Sequence, residues 1–531
     1  MQIIDLKSDK AEKLLLIKLC AFNRYSFSEG KGGIRLKMEK ENVRKANSTK
    51  MIAFFFAVIS ALIMLPSIIF NILYKNHQII NYVNSTIFFK LIDKPIDEQY
   101  PIFLILAITL TILFLLMCKF RNKIFNSTKT LIQFIIIIGA IYAIMIPTSS
   151  LDIYTYIARG RMQTKYHENP YYTSTLDIMN KNPEDKIMYN VARCWWGEKA
   201  TYGPYWELIV KLYSLFSRDS IFAAIYVYKV MAFLIFILSV FLIKKISNND
   251  LYVMLFGLNP YILYQFLANA HNDFYVIFLV LLAIYLFKVK DNKKLSVASL
   301  AVATSIKYYP VLFVPFLLFY FIKDEKNTKG KITKLALYSI EYLIIVLFPY
   351  IFYAKDINAF LNPLIQQTKY SYSLQGAIFF LSDKNATLMK VISKCILALF
   401  VIYYLYLFVR DFFVKDNLTF EEISNDLIKI SIFFIVVVLT CYNSWYIGWV
   451  VPFMLFENTR KNRIFTYWEL SSVIFDHVVY NPDLIPVPYS QLNIVYLYLI
   501  LIIFIIGDLF YYLLYNKDNA TRLGFTQKGK V

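Results

Sequence analysis

The sequence predicts an all-α polytopic membrane protein with about 14 transmembrane helices and short interfacial helices in one large external loop. Of the 531 residues, 58% are hydrophobic and only 17% are charged, whereas soluble proteins carry about 25% charged residues. Apolar runs of roughly 17 to 25 residues, long enough to cross about 30 Å of hydrocarbon, recur along most of the chain. Because backbone polar groups in lipid must be satisfied within the segment, we expect these runs to be helices.

The basic residues indicate the orientation of the chain. The formal net charge is +20, and the excess lies mainly in short connections between apolar runs. Lysine and arginine in such loops mark the cytoplasmic face, where they also meet anionic lipid. We therefore expect a multi-pass protein of the cell membrane with both termini in the cytoplasm. Nucleic-acid binding is not favoured, because no nucleic-acid-binding motif accompanies these residues.

The predicted spans alternate in direction between basic inner loops and polar outer loops. The stretch Leu295–Phe321 is too short for two full spans at 1.5 Å per residue, so we expect two short helices bent at Lys307–Pro310. The predicted segments are Met51–Tyr74, Pro101–Lys119, Leu131–Pro147, Ile221–Ile243, Leu251–Leu267, Phe274–Phe287, the pair within Leu295–Phe321, Leu335–Tyr353, Leu388–Phe408, Leu427–Tyr442, a short descent through Pro452, Ile464–Tyr480 and Leu492–Tyr515.

These spans divide the chain into three predicted parts. Residues 1–50 form a basic cytoplasmic extension, residues 51–515 the multi-spanning domain, and residues 516–531 a cytoplasmic tail. Residues 149–220 form the external loop. The extension lacks the pattern of a cleavable signal peptide. The five cysteines are scattered, which argues against a disulfide framework.

Missing sequence motifs limit the possible chemistry. The chain has no Gly-x-x-x-x-Gly-Lys-Ser/Thr loop and no Gly-x-Gly-x-x-Gly after a strand, so nucleotide-driven work is not expected. It has no His-Glu-x-x-His, paired-cysteine site or Asp-x-Asp, so a metal is not suggested. We expect no cofactor.

Polar clusters recur at the predicted outer ends of the spans. Ionisable residues among membrane spans are costly and commonly functional, so clusters at one depth predict a functional cavity. The clusters are Asp152–Tyr172, Trp195–Trp206, Asn269–Asp273, Lys307–Pro310, Gln366–Gln375 and Asn443–Trp449.

Asp152 is the candidate general base. If its segment is helical, Asp152, Tyr156 and Arg159 lie on one stripe at spacings of four and three residues. A carboxylate at this position can take a proton from an acceptor hydroxyl. An N-cap role is the alternative, because Ser149 and Ser150 precede an amphipathic interfacial helix.

Several cations are candidates for a phosphate site. Arg159 and Arg161 can hold phosphate oxygens in a bidentate fork, although interfacial arginines also snorkel. Lys307 lies far from the predicted cytoplasmic charges, and its alternative is a helix-end cation. His271 can bind a phosphate or orient a sugar hydroxyl, or it can be structural. External aromatic residues such as Tyr154 and Tyr202 can stack on sugars, or they can belong to the interfacial belt.

Segments in a fixed order carry a family resemblance. They are Asp152-x-Tyr154-x-Tyr156, Gly160-Arg161, Asn169-Pro170-Tyr171, Tyr202-Gly203-Pro204, Trp206, Asn259-Pro260, Ala268-Asn269-x-His271-Asn272-Asp273, Lys307-x-Tyr309-Pro310, Pro315, Trp445-Tyr446, Trp449 and Pro452. Together they resemble the bacterial GT-C class of membrane glycosyltransferases, and within it the polyprenol-phosphate-mannose-dependent mannosyltransferases. Two predicted spans precede the one that delivers Asp152, where many relatives have one.

The resemblance implies a polyprenyl-phosphate-linked sugar donor, an acceptor hydroxyl at the outer face and inversion at the anomeric carbon. It implies that Asp152 is the base and that His271 lies near the donor. The donor phosphate or sugar is expected to meet Arg159, Arg161, His271, Lys307 and Tyr309. The sugar and acceptor are expected to be lined by Tyr154, Tyr156, Tyr202, Asn269, Asn272, Asp273, Gln375, Trp445 and Tyr446.

We therefore expect a glycosyltransferase that moves a hexose, with mannose the expected sugar, to a glycan or glycolipid of the cell envelope at the extracytoplasmic face. A lipid-linked sugar transporter or flippase is one alternative, although transporters tend to carry inverted repeats and interrupted helices at mid-membrane. A polysaccharide polymerase or ligase that uses a lipid-diphosphate donor is another.

Overall fold

A computed structural model describes residues 49–63, 100–147, 150, 152–191, 195–217, 219–365, 373–415, 417–457, 459–479 and 493–524. Within these ranges the chain is helical and contains no strand, which confirms the predicted all-α class. From Ile52 onward, the described residues belong to one compact unit.

The helices are numbered here in chain order. They are α1 Thr49–Ile63, α2 Tyr100–Ile124, α3 Thr128–Ile144, α4 Asp152–Lys165, α5 Thr175–Lys181, α6 Lys186–Val191, α7 Pro204–Ser217, α8 Ile221–Ser247, α9 Asp250–Gly257, α10 Pro260–Ala268, α11 Asp273–Lys288, α12 Lys293–Ile306, α13 Val314–Ile322, α14 Thr328–Leu347, α15 Asn358–Ile365, α16 Leu374–Leu381, α17 Ala386–Val409, α18 Phe420–Phe433, α19 Val451–Met454, α20 Thr459–Val479 and α21 Asn493–Gly524. Short 3-10 helices occur at Tyr309–Leu312, Phe348–Phe352 and Ser444–Val450. Short π-helices occur at Leu263–Ala268, Arg410–Val414 and Phe434–Val438.

Four helices of the described chain are long and apolar enough to cross a membrane: Leu104–Ile124, Ile221–Ser247, Thr328–Phe352 and Ala386–Val414. A fifth crossing results if α9 and α10, which are bent by 42° relative to each other, are counted as one broken span. Other predicted spans correspond to shorter helices, and α3, with 17 residues, is about 26 Å long. The structure therefore supports several membrane spans, and the count of about 14 remains a prediction.

The predicted break between two short helices is confirmed. Helix α12 ends at Ile306, and Lys307 leaves it with extended backbone angles (φ −147°, ψ 132°). A short 3-10 turn, Tyr309–Leu312, follows before α13 begins. The break places Lys307 at the end of a helix, where its side chain is free to turn toward other elements.

Some predicted features lie outside the described residues. These are residues 1–48 of the basic extension, the end of the first predicted span and its outer loop in 64–99, residues 366–372 of the loop before Gln375, residues 480–492, and residues 525–531 of the predicted tail.

Helix α4, which begins at Asp152, is buried from Asp152 to Gln163 although it is rich in polar residues. It packs against α7, where Gly160 lies so close to Val210 that a β-carbon would overlap the Val210 carbonyl oxygen. On another side, Arg161 donates from Nε to Asp185 at 2.8 Å and from Nη2 to Asp219 at 2.8 Å. The buried helix is thus fixed by close packing and by ion pairs within residues 152–219.

Asp185 is the centre of the ion-pair network beside α4. Its carboxylate accepts hydrogen bonds from Arg161, Lys165 and Tyr166 and from the backbone amide of Met188. Burial opposes ionisation, but these donors outweigh it and hold the pKa of Asp185 well below its usual range. Its stabilising effect is therefore present above the unfolded pKa of about 3.9 and is lost as the pH falls below that value.

The two partners of Arg161 allow a matched test. Asp185→Asn should lower the stability of the segment 152–191 by roughly 3 kcal/mol, because it removes a buried carboxylate from a buried guanidinium. Asp219→Asn should cost less than about 1 kcal/mol, since the Asp219 side chain is 80% exposed. Hydrogen exchange of this segment in detergent measures the difference, and equal losses in the two variants would contradict the assignment.

Candidate active site

The carboxylate of Asp152 lies beside the side chains of Tyr156 and His271. Oδ2 of Asp152 is 3.5 Å from the Tyr156 hydroxyl that donates to it and 3.3 Å from Nδ1 of His271. Asp152 is the first residue of α4, and its backbone amide donates to Oγ of Ser150 at 3.2 Å. The carboxylate thus contacts one side chain of its own helix and one that is distant in the sequence.

Neighbouring charges keep Asp152 ionised. Burial alone would raise the pKa of Asp152, but the neighbouring His271, 3.3 Å away, together with the charges of Lys307 and Arg159, outweighs burial and lowers this pKa below its ordinary value. A carboxylate that is ionised at neutral pH can accept a proton from a hydroxyl placed next to it.

His271 lies in a buried loop between α10 and α11. Ala270 before it has a left-handed backbone (φ 55°), a conformation that costs a non-glycine residue about 1 to 2 kcal/mol and requires support from its surroundings. Lys229 of α8 binds the residues just before this loop, because its side-chain nitrogen donates to the carbonyls of Tyr142, Leu267 and Ala268. The end of α10 is thereby held in place just before His271.

The His271 ring stacks on the indole of Trp445, with ring centroids 3.8 Å apart and an angle of 19° between the planes. In the described part of the structure, Nε2 of His271 and both side-chain polar atoms of the adjacent Asn272 have no hydrogen-bond partner although they are buried. Buried polar groups are normally satisfied. These atoms are therefore available to a bound ligand.

Lys307 forms a buried ion pair with Asp273. Its ammonium donates to both carboxylate oxygens of Asp273, at 2.8 and 2.9 Å. The indole of Trp449 donates to the same carboxylate at 2.5 Å. Asp273 is fully buried and Lys307 is 9% exposed. Lys307 thus points into the cluster around Asp152 and is balanced there by Asp273.

Aromatic rings surround the Lys307 ammonium. Tyr309 stacks on Trp449 at 3.7 Å with an angle of 7°, and Tyr446 stacks on the same indole at 4.5 Å. The ammonium lies 4.7 Å from the Tyr446 ring centroid and 5.6 Å from that of Tyr202, within the range of cation–π attraction. The buried hydroxyl of Tyr309 has no hydrogen-bond partner among the described residues.

The Tyr202 ring lies close to both Lys307 and Arg159. The Arg159 guanidinium is 5.6 Å from the Tyr202 ring centroid, as is the Lys307 ammonium. The next residue, Gly203, donates its amide to the carbonyl of Ile306 at 3.0 Å. A β-carbon at Gly203 would overlap the backbone of Ser305, so only glycine allows this loop to approach the end of α12.

Arg159 is held next to a second buried acid, Glu207 of α7. Nη2 of Arg159 donates to the Lys199 carbonyl at 2.9 Å, and Nη1 lies 3.7 Å from Oε1 of Glu207. Gln163 donates to the other carboxylate oxygen of Glu207 at 3.2 Å. Burial raises the pKa of Glu207 to about 7, although the charge of Arg159 acts in the opposite direction. Near neutral pH Glu207 is therefore only partly ionised and balances only part of the positive charge that Arg159 brings to the site.

The sequence-predicted residues fall into two groups. The first, brought together by direct contacts or by charge, comprises Asp152, Tyr156, Arg159, Tyr202, His271, Asp273, Lys307, Tyr309, Trp445 and Tyr446. Asn269 and Asn272 are buried in the loop that carries His271.

The second group has its main contacts elsewhere. Arg161 binds Asp185 and Asp219, and the Tyr154 hydroxyl donates to the Pro147 carbonyl at 3.4 Å. Gln375 donates to the carbonyls of Val437 and Val438. These contacts give all three a visible structural role.

Sequence reasoning did not assign a role to Trp449 or Glu207. Trp449 belongs to the quoted Trp445–Trp449 segment, and its spacing from Trp445 was the available signal. Glu207 had no signal of its own, because its pairing with Arg159 joins two helices that are distant in the sequence.

A comparison with protein-family models gives one match. The family described as alpha-(1->6)-mannopyranosyltransferase, N-terminal domain, matches residues 57–323. The chain belongs to this mannopyranosyltransferase family. Family membership makes it a glycosyltransferase of the mannosyltransferase type and confirms the resemblance inferred from the motifs. Searches of curated proteins and of solved structures found no match.

The mannopyranosyltransferase match covers Asp152, His271, Asp273 and Lys307 but ends before Trp445. The site thus combines residues from the matched region with an aromatic segment that lies beyond it, at Ser444–Val450.

The Lys307–Asp273 pair predicts a specific pattern of stability. Lys307→Met should lower the free energy of unfolding by roughly 3 to 5 kcal/mol, because it leaves the buried Asp273 charge uncompensated. The double variant Lys307→Met/Asp273→Asn should recover most of this loss, because the second change removes the orphaned charge. Thermal unfolding in detergent measures these losses of stability. The coupling would be refuted if the loss in the double variant equalled the sum of the losses in Lys307→Met and Asp273→Asn.

Proposed function

We propose that the protein transfers a mannosyl residue from a polyprenyl-phosphate donor to a hydroxyl of a cell-envelope glycan or glycolipid, at the extracytoplasmic face of the cell membrane. The observation that carries the proposal is the buried Asp152 carboxylate, placed 3.3 Å from His271 in a chain of a mannosyltransferase family. The charges of Lys307 and Arg159 act on the same carboxylate. A base and a set of cations at one place are what direct sugar transfer from a phosphate requires.

Asp152 is the proposed general base. Its Oδ2 takes the proton of the acceptor hydroxyl while the hydroxyl oxygen forms a bond to the anomeric carbon of mannose. The bond between that carbon and the phosphate oxygen breaks at the same time, and its electron pair leaves with the polyprenyl phosphate. A single displacement of this kind inverts the configuration at the anomeric carbon. Tyr156, whose hydroxyl donates to Asp152 at 3.5 Å, orients the carboxylate.

Lys307 and His271 are the proposed phosphate-binding groups. Negative charge builds up on the departing phosphate, and cations fixed nearby in a dry site stabilise it strongly. Lys307 is paired with Asp273, so the donor phosphate has to share the ammonium with this carboxylate. The unpartnered Nε2 of His271 offers a further donor or acceptor. Arg159, whose guanidinium is 5.6 Å from the Tyr202 ring centroid, contributes a further positive charge.

The stacked rings of Tyr309, Trp449 and Tyr446 are the proposed sugar platform. Aromatic faces pack well against apolar ring faces and carry polar tips that find hydrogen-bond partners. The Tyr309 hydroxyl and the amide of Asn272 are buried and have no partner in the described chain, so they can bind sugar hydroxyls. This arrangement supports a hexose as the transferred group.

The proposed topology has about 14 spans, with residues 1–50 and 516–531 in the cytoplasm and residues 149–220 outside. It is supported by the basic residues of the predicted inner loops and by the membrane-capable helices of the described chain. A lipid-linked donor is consistent with this placement, because cytosolic nucleotide sugars are not available at the outer face.

The first test is direct transfer. Membranes containing the protein should move radiolabelled mannose from polyprenyl monophosphate to an acceptor, and Asp152→Asn should lower kcat at least about 100-fold, because general bases contribute roughly 100- to 10,000-fold. The matched control is Asp219→Asn, which changes an exposed carboxylate in the same external segment. This variant should keep full activity. Full activity of Asp152→Asn in a folded protein would eliminate Asp152 as the base, and movement of intact lipid-linked sugar without transfer would indicate a flippase.

The pH dependence tests the role of His271 next to Asp152. His271→Gln removes the strongest influence that lowers the pKa of Asp152, while burial continues to raise it. The carboxylate is therefore protonated at higher pH in the variant, and the acidic limb of kcat/KM should move to higher pH. A pH profile of both proteins measures the shift. An acidic limb that stays in place or moves to lower pH would show that His271 does not act through Asp152.

A further inference from the structure

Two buried carboxylates of α20 lie outside the mannopyranosyltransferase match. Glu469 is 4% exposed and Asp476 is 7% exposed. They are two helical turns apart and therefore lie on the same face of α20. Acids among apolar helices are costly and are usually functional. Neither residue contacts the proposed reacting groups directly, so their role has to be sought in the elements to which they bind.

Asp476 joins the two segments that supply the His271–Trp445 stack. Its Oδ2 accepts hydrogen bonds from Nε2 of Gln265 at 2.5 Å and from Oγ of Ser444 at 2.8 Å. Gln265 lies in the last turn of α10, and its carbonyl accepts the His271 amide at 3.5 Å. Ser444 directly precedes Trp445. Gln265 also donates from Nε2 to Oγ of Ser444 at 3.1 Å. The Asp476 oxygen therefore completes a three-membered network that joins the backbone carrying the imidazole to the backbone carrying the indole.

Glu469 makes a second connection to the same two segments. It accepts a hydrogen bond from Nδ2 of Asn259 at 2.6 Å, and Oδ1 of Asn259 accepts the Tyr261 amide at 3.0 Å. The Tyr261 hydroxyl donates to the Ser444 carbonyl at 3.0 Å and accepts the Gly448 amide at 2.9 Å. The start of α10 is therefore bound to α20 and to the Ser444–Val450 turn, which also carries Trp449.

We propose that Asp476 and Glu469 are positioning residues for sugar transfer. They hold His271, Trp445 and Trp449 in their places relative to Asp152 and Lys307. This inference rests on the proposed function. The groups that bind the two acids are neutral amides and a hydroxyl, so hydrogen-bond acceptance rather than ion pairing does the positioning. An amide side chain, which keeps one acceptor oxygen, should therefore replace either acid, whereas an aliphatic side chain should not.

The kinetic test compares Asp476→Leu, which removes the acceptor, with Asp476→Asn, which keeps it. Asp476→Leu should lower kcat roughly 100-fold, as a displacement of about 1 Å at a catalytic site can, with a much smaller change in the KM for the lipid-phosphate donor. Asp476→Asn should restore most of kcat, and Glu469→Leu and Glu469→Gln should behave in the same way. Tyr467→Phe is the matched control, because its hydroxyl lies on the same helix but donates to Asp508. It should leave kcat unchanged.

A spectroscopic measurement tests the positioning without substrate. The contribution of Trp445 to the fluorescence is obtained by subtracting the spectrum of the Trp445→Phe counterpart from that of each protein. In the wild type this indole is stacked on His271 and should be shielded from acrylamide. In Asp476→Leu it should become accessible, and in Asp476→Asn it should remain shielded. Ser444→Ala, which removes one donor to Asp476, should increase access and replaces Asp476→Leu if that variant does not fold.

The outcomes separate this inference from the proposed function. If the wild type transfers no sugar from any polyprenyl-phosphate donor, the proposed function fails, while the Trp445 measurement still shows whether Asp476 holds the stack. The positioning role is overturned if Asp476→Leu retains kcat or leaves Trp445 shielded. It is also overturned if Asp476→Asn is as inactive as Asp476→Leu, because the negative charge itself would then be required.

Discussion

Asp152 can remain ionised in a buried site only because cations and hydrogen-bond donors surround it, and much of the described structure serves this requirement. The helix α4 begins at Asp152, the loop after α10 brings His271 to 3.3 Å, and the break after α12 turns Lys307 into the same region. Each element reaches the site from a different part of the chain. The helices between them can therefore be understood as a frame that keeps these charges together.

Local features of the site could be predicted from the sequence, whereas pairings between distant segments could not. The helix at Asp152 and the break at Lys307 follow from residue spacing, turn-forming residues and span length, and the structure has both. The contacts of Arg161 with Asp185 and Asp219 depend on how remote segments fold against α4. No periodicity in the sequence encodes such contacts, so Arg161 resembled a phosphate ligand although the structure pairs it with two acids.

The organisation of the site also shows why a partial family match does not delimit a functional unit. The matched region 57–323 contains Asp152 and Lys307, but the aromatic rings that cover Lys307 and His271 come from Tyr446 and Trp445. Membrane helices pack side by side whatever their order in the chain, and side-chain hydrogen bonds between them supply part of the cohesion. The turn Ser444–Val450, beyond the matched region, therefore belongs to the candidate site.

The ion pair between Lys307 and Asp273 has a consequence for selectivity. Because Asp273 already balances the Lys307 ammonium, small dissolved anions are attracted to it much less than to an uncompensated lysine. A ligand gains enough to compete with Asp273 only if it contributes other contacts at the same time, such as a sugar against the rings and a lipid chain in the bilayer. Self-neutralisation of this kind discriminates against ligands that offer a phosphate alone.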